Sequence, residues 1–292
     1  MNKITLLVTC LISTFTFSDT LLHVGNLIDV SSGEISKAVT IRISGNKIES
    51  ITKGYAKTKS EDQIINLKQS FVLPGFMDMH VHLAGEYVPK AERPSKVEPE
   101  FSALFAANSA KKTLMSGFTT VRNLGDGGME TIALRKAISE GLMVGPRIFT
   151  SGKTIATTGG HGDPTNGMSK DSYSPPTPKQ GVIDSPNDAI KAVRQRYKDG
   201  TDGIKITATG GVLSVAKSGE NPQFTDEELA AIVKTANDYG LWTAAHAHGK
   251  EGMKRAVLAG INSIEHGTFM DEEVMQLMKN KGTYYVPTIM AG

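Results

Sequence analysis

Five of the seven histidines fall at or just past the C-terminal ends of apolar, strand-like runs: His80, His82, His246, His248 and His266. Side chains alternate along a strand, so His80 and His82 point to one side, and so do His246 and His248. Neutral imidazoles facing a common point are good ligands for zinc or a similar borderline cation. A single histidine in such a run is as readily a satisfied core residue; five at matching strand ends are not. Lys205 sits in the middle of another such run, Asp202 to Thr207, on the face of Gly203 and Thr207. A lysine turned inward must lose its charge or find a partner. Two outcomes stay open: a buried pair with a carboxylate, or a neutral amine that takes up carbon dioxide. The second product is a carbamate, a bidentate anion able to bridge two divalent metals.

From about residue 72 onward, β-branched runs alternate with helical ones. Ser185-Pro186 opens one helix with proline at its first position, and Thr225-Asp226-Glu227-Glu228 spells a capping box for another. Seven strands and six crossovers result, which predicts an α/β protein with a parallel sheet and helices outside it. The architecture expected is a (β/α)8 barrel missing its eighth unit, whose chemistry sits at the C-terminal ends of the strands. A doubly wound open sheet is the alternative. No Gly-x-Gly-x-x-Gly follows the first strand, which argues against dinucleotide binding. Residues 20–73 read differently, as short strands separated by turns such as Ser31-Ser32-Gly33 and Gly45-Asn46-Lys47.

The 292 residues carry 32 Lys and Arg against 30 Asp and Glu, a balance that argues against a nucleic-acid partner. Residues 1–18 are expected to form a secretory signal, with Lys3 ahead of an apolar stretch too short to span a bilayer. Cleavage after Ser18 would remove the single cysteine, Cys10. The expectation is therefore an exported protein, periplasmic or secreted, without a transmembrane span. Its expected organisation is a signal at 1–18, a small β-domain at 19–73 and the catalytic part at 74–292.

Four motifs in order, Pro74-Gly75-Phe76-Met77-Asp78-Met79-His80-Val81-His82, Gly203-Ile204-Lys205-Ile206, Ala245-His246-Ala247-His248-Gly249 and Ser263-Ile264-Glu265-His266-Gly267, resemble the amidohydrolase superfamily. The similarity is greatest to its imidazolonepropionase-like and metal-dependent Xaa-Pro or Xaa-Arg/Lys dipeptidase branch. The resemblance implies a (β/α)8 barrel with a small β-sandwich, to which residues 19–73 would contribute. It implies two divalent metal ions, zinc being the expected element. His80 and His82 would hold one and His246 and His266 the other, with a carbamate on Lys205 bridging them. His248 would touch substrate or support a ligand. His161, in Thr157-Thr158-Gly159-Gly160-His161-Gly162-Asp163, would meet a substrate carboxylate, a solvated loop histidine being the alternative. Gly210 and Gly211 would shape the pocket, and Arg122 would meet an anionic group or form a structural ion pair. Asp202 and Glu265 lie one residue from expected ligands, so alternation points them away from the site. The substrates implied are small molecules, a dipeptide or an N-acyl amino acid, cleaved at a C–N bond. A cyclic amidase of the imidazolonepropionase type and a non-catalytic metal-binding module are the competing readings, and a homo-oligomer is left open. The family pattern also has an aspartate at the end of strand eight, which moves the proton to the leaving amine. Residues 1–292 contain no counterpart, so the sequence is expected to be C-terminally truncated and, by itself, inactive or nearly so.

Overall fold

The computed structural model describes residues 19–57, 59–85, 98–211 and 218–289. The expected signal at 1–18, with Cys10, lies outside them. The chain divides into two compact units, Met1–Pro74 and Gly75–Gly292.

The first unit is one four-stranded sheet among the described residues. Its strands are β1 (Thr20–Ile28), β2 (Ile35–Ser44), β3 (Lys47–Lys53) and β4 (Gln63–Val72), in the order β3-β2-β1-β4. The β1–β2 and β2–β3 pairs are antiparallel hairpins, while β4 returns parallel to β1. Leu21, Val24, Val39 and Ile41 are its buried apolar residues. At Gly25 a Cβ would come within 2.1 Å of the Lys68 carbonyl oxygen, so only glycine lets the two backbones approach there.

The second unit alternates strand and helix as the periodicity predicts. In chain order it contains β5 (Phe76–Val81), α1 (Pro99–Met115), β6 (Phe118–Asn123), α2 (Glu130–Ser139), β7 (Arg147–Thr150) and α3 (Pro186–Asp199). It continues with β8 (Gly203–Thr207), α4 (Asp226–Asp238), β9 (Trp242–Ala247), α5 (Lys250–Ala259), β10 (Ser263–His266), α6 (Glu272–Lys281) and β11 (Tyr284–Val286). Each strand pair is parallel, in the orders β5-β6-β7 and β8-β9-β10-β11. The chain beyond β7 joins the two sets. The Ile155 amide donates to the Lys205 carbonyl at 2.8 Å and the Thr207 amide to the Ile155 carbonyl at 3.1 Å. Seven strands thus follow one another in sequence order around a curved sheet. No described strand pairs with the outer edges of β5 and β11, so the described residues show the α/β alternation but not a closed barrel. None of the described helices is long and apolar enough to cross a membrane.

Local chemistry sets the helix ends. Ser185 accepts from the Asp188 amide with Pro186 at the first helical position, and the Thr225–Glu228 capping box is present in both directions. Leu229, Ile232, Val233 and Ala236 recur at helical spacing on α4 and pack with Ile204 and Ile206 of β8 in one buried cluster, together with Ala192 and Val193 of α3. β8 is buried at all five positions, as a central parallel strand covered on both faces must be. With Ile204 and Ile206 committed to the helices, Gly203, Lys205 and Thr207 face the interior.

Candidate metal and hydrolase site

The interior end of β8 lies against a cavity of about 1270 Å³, lined by residues from the C-terminal ends of β5 to β11 and the loops that follow. Lys205 lies on its floor, 3% exposed. Among the described residues its Nζ has neither hydrogen bond nor ion pair. The carboxylate-paired alternative is therefore not what the structure shows. Burial, reinforced by the Arg122 charge and opposed by Glu265, lowers its pKa to about 8, within reach of a neutral amine.

The histidines cluster above it. Ring centroids lie 5.3 Å apart for His80 and His82, 4.9 Å for His80 and His266, 4.6 Å for His246 and His266, and 4.6 Å for His246 and His248. His161 joins as a sixth ring, stacked on His246 at 4.3 Å, so the glycine-rich loop carries it into the cluster and not out into solvent. Burial is the first cause holding these imidazoles neutral. It takes His266 to about 2 and His161 to about 4, each helped by Lys205, and pushes His80 and His246 below their ordinary value.

Their hydrogen bonds choose the tautomers. His80 Nδ1 lies 2.8 Å from a Glu265 carboxylate oxygen and His82 Nδ1 3.3 Å from the Gly125 carbonyl. These oxygens only accept, so Nδ1 carries the proton and Nε2 keeps its lone pair. His246 is reversed. Its Nε2 donates to the Gly210 carbonyl at 2.8 Å, which leaves the lone pair on Nδ1. His266 and His248 bond through Nδ1 to the hydroxyls of Thr288 and Thr268, at 2.6 and 2.7 Å. In each described case one ring nitrogen is anchored to the protein and the other makes no hydrogen bond.

Glu265 corrects the sequence reading. It does not point away; it is fully buried and holds the layer beneath the histidines. Burial alone would raise its pKa, but the His80 hydrogen bond and the Arg122 and Lys205 charges hold it below the ordinary carboxylate value. The reason lies at His266, whose φ of +73° is left-handed, as is that of Gly267 at +61°. That twist at the strand end lets Glu265 follow the inward face of Ser263 while His266 still reaches the cluster, two consecutive residues that strict alternation would separate. Asp202 does lie elsewhere, where its carboxylate accepts from the Thr150 amide and pairs with Arg135.

Arg122 is also corrected as a candidate for binding an anionic substrate. Its guanidinium is committed to Glu265 at 2.6 Å, the Ser263 hydroxyl at 3.0 Å and the Met79 carbonyl at 2.8 Å, and it lies 5.4 Å from the Trp242 ring centre. A Cβ on Gly203 would lie 2.0 Å from that same indole, so glycine below Lys205 makes room for it. Trp242, Arg122 and Glu265 form a filled support under His80.

Gly210 and Gly211 both matter to the rim. A Cβ on Gly210 would strike the Ser218 carbonyl oxygen at 2.0 Å, and one on Gly211 would strike the His161 ring at 2.5 Å. Two further groups escaped the sequence reading. Asp126, on the loop after β6, lines the cavity, and burial raises its pKa to about 6. Thr207 leaves a buried hydroxyl without a partner. An acid inside an apolar run, as at Glu265, was the one available sequence signal, because a buried carboxylate needs a partner.

The donor set suits divalent metal in kind: neutral imidazoles with one nitrogen anchored and the other free, beside an amine of lowered pKa. In arrangement, no three His, Cys, Asp or Glu side chains among the described residues already form a metal-holding group. The imidazoles pack ring against ring instead.

Residues 71–291 match the Amidohydrolase family. A solved Xaa-Pro dipeptidase with methionine bound in its active site is 59% identical with a TM-score of 0.91, over 94% of this chain and 67% of that one. A prolidase complexed with N-methylphosphonate-L-proline is 32% identical with a TM-score of 0.81, over 93% of this chain and 66% of that one. The ochratoxinase of Aspergillus niger is 35% identical over 231 residues, 74% of this chain and 47% of its own length. The chain thus spans about half the length of that relative.

Proposed function

Because this chain belongs to the amidohydrolase family, we propose that its protein hydrolyses the C–N bond of a small amide, a dipeptide or an N-acyl amino acid. The observation that carries the reading is the unpaired, buried Lys205 amine beneath the neutral, singly anchored imidazoles of His80, His82, His246 and His266. The dipeptidase and prolidase named above support the substrate class. The curved sheet of seven parallel strands supports a (β/α)8 barrel, and the separate four-stranded sheet of the first unit is read as one layer of a β-sandwich.

His80 and His82 would present Nε2 to one divalent ion and His246 would present Nδ1 to a second, with His266 beside it and a carbamate on Lys205 between. Bound there, divalent metal would supply Lewis acidity toward the scissile carbonyl and a water of lowered pKa. The chain's own groups do the rest. Glu265 holds the proton on His80 Nδ1, Gly125 on His82 Nδ1 and Gly210 on His246 Nε2, which fixes each ligating lone pair. Arg122, lying over the Trp242 ring, fixes Glu265 from below. His161, with its backbone amide donating to Gln223 at 2.9 Å and Nδ1 buried without a partner, is placed to receive a polar group of the substrate at the rim.

The test is turnover by the full-length gene product, purified, loaded with zinc and offered Xaa-Pro, Xaa-Met and N-acyl amino acid substrates, with metal counted in parallel. Release of the C-terminal amino acid, lost in Lys205→Ala, is expected. A protein holding two metals per chain that cleaves none of them would defeat the reading of the substrate, and one that binds no metal would defeat the reading of the site.

A further inference from the structure

Among the described residues, two polar side chains on β8 make no hydrogen bond. Thr207 is 4% exposed, and its Oγ1 makes no hydrogen bond. Lys205, 3% exposed, stands two residues earlier on the same inward face, also unpartnered. Both line the cavity. Thr207 pairs in register with His246 on β9, so it sits beside the imidazole as well as next along the strand from the amine. Gly162 covers it so closely that a Cβ there would lie 3.2 Å from Thr207 Cγ2 and 3.3 Å from Oγ1. Valine has the same shape and would leave no polar atom stranded, whereas a buried, unsatisfied hydroxyl is costly. The hydroxyl therefore points to an acceptor that arrives after folding.

We propose that Thr207 is a positioning residue for a carbon dioxide adduct on Lys205, its hydroxyl donating a hydrogen bond to one carbamate oxygen. This rests on the reading of Lys205 given above. In the step, the neutral amine's lone pair forms an N–C bond to carbon dioxide. One C=O π pair moves onto oxygen, and the displaced N–H proton passes to solvent, so nothing is oxidised or reduced. The product carries two acceptor oxygens beyond the former amine, and Thr207, two residues along on the same strand face and lining the same cavity, offers them a hydroxyl donor. One bond satisfies the orphan hydroxyl and turns the carboxylate plane of the adduct.

The experiment uses the full-length protein, zinc-loaded in 13C-bicarbonate. Carbon NMR reads the carbamate signal and its decay after transfer into unlabelled buffer. Wild type, Thr207→Val, Thr207→Ser and Lys205→Ala are compared, with thermal melts as the folding control. Expected is a wild-type signal absent in Lys205→Ala, with occupancy lower or exchange faster by about tenfold in Thr207→Val, the scale of one hydrogen bond to a charged group. Thr207→Ser should restore it. Should Thr207→Val misfold, Thr207→Ala removes the hydroxyl with less disturbance at the strand. Equal occupancy and exchange in wild type and the hydroxyl-less variants would overturn the role of Thr207 while Lys205 kept its adduct. No signal in wild type, or one that survives Lys205→Ala, would overturn both readings.

Discussion

The ends of β5 and β9 spell the same pattern, His-x-His, but the protein treats them differently. At β5, His80 and His82 are anchored through Nδ1, His80 by a carboxylate and His82 by a carbonyl. At β9, His246 is anchored through Nε2 by a loop carbonyl, and its neighbour His248 by a hydroxyl. One end rests on a buried ion pair within the sheet; the other hangs on the glycine loop after β8. Identical spacing therefore delivers imidazoles to one cavity, with His246 presenting the opposite nitrogen from His80 and His82. The spacing brings the rings in, and the anchoring partner decides which lone pair faces the ligand.

The largest separation between the two ends should come from Glu265. Glu265→Ala strips His80 of its anchor and strands Arg122 as a buried, unpaired charge. Destabilisation of about 3–5 kcal/mol is expected by urea unfolding. In the folded fraction, metal retention should fall more at the β5 end than at the β9 end. A loss below about 1 kcal/mol would mean the ion pair is not the support described.

Gly210→Ala tests the other end. Its Cβ cannot coexist with the Ser218 carbonyl, so the loop carbonyl that anchors His246 must shift. Metal affinity should drop about 10- to 100-fold, the range for losing a partner that orients a ligating side chain, with stability changed far less than in Glu265→Ala. Unchanged affinity would show that His246 keeps its orientation without Gly210.

The finest distinction between the two ends is in pH. In the metal-free protein, His266 and His161 have pKa values of about 2 and 4, and His246 lies well below its ordinary 6.5. Between about pH 4 and 6.5 the unfolded chain binds protons that the folded cluster refuses. Stability is therefore greatest above 6.5 and declines as pH falls through that window, by up to about 1.4 kcal/mol per pH unit for each histidine, less where the ring meets solvent. His80, whose carboxylate partner favours the charged form, should protonate at higher pH than His246. Denaturant melts across this range and nitrogen NMR of the imidazoles would check both. Flat stability, or His246 titrating first, would remove the distinction between the two ends.

Much of this was legible without a structure. The capping box at Thr225, the proline start at Pro186 and the alternating runs from residue 72 marked the elements, because each follows from chemistry local to a few residues. The five strand-end histidines and inward Lys205 followed from a period of two. Where that period failed, so did the reading. The left-handed backbone at His266 is not encoded by any neighbour's type, and it turned Glu265 from an outward acid into the anchor of His80. Arg122 had two equal prospects until its partner across the interior was known.

The sequence by itself determined the order of elements, the presence of imidazoles at strand ends and a lysine on an inward face, since these depend on the residue and its immediate register. Only tertiary structure decided that Glu265 lies under His80, that His161 joins the cluster, which nitrogen of each imidazole stays free, and that Lys205 and Thr207 make no side-chain hydrogen bond among the described residues. Those facts depend on groups brought together from 20 to 185 residues away, whose contacts are fixed by sheet curvature and loop closure and not by local preference.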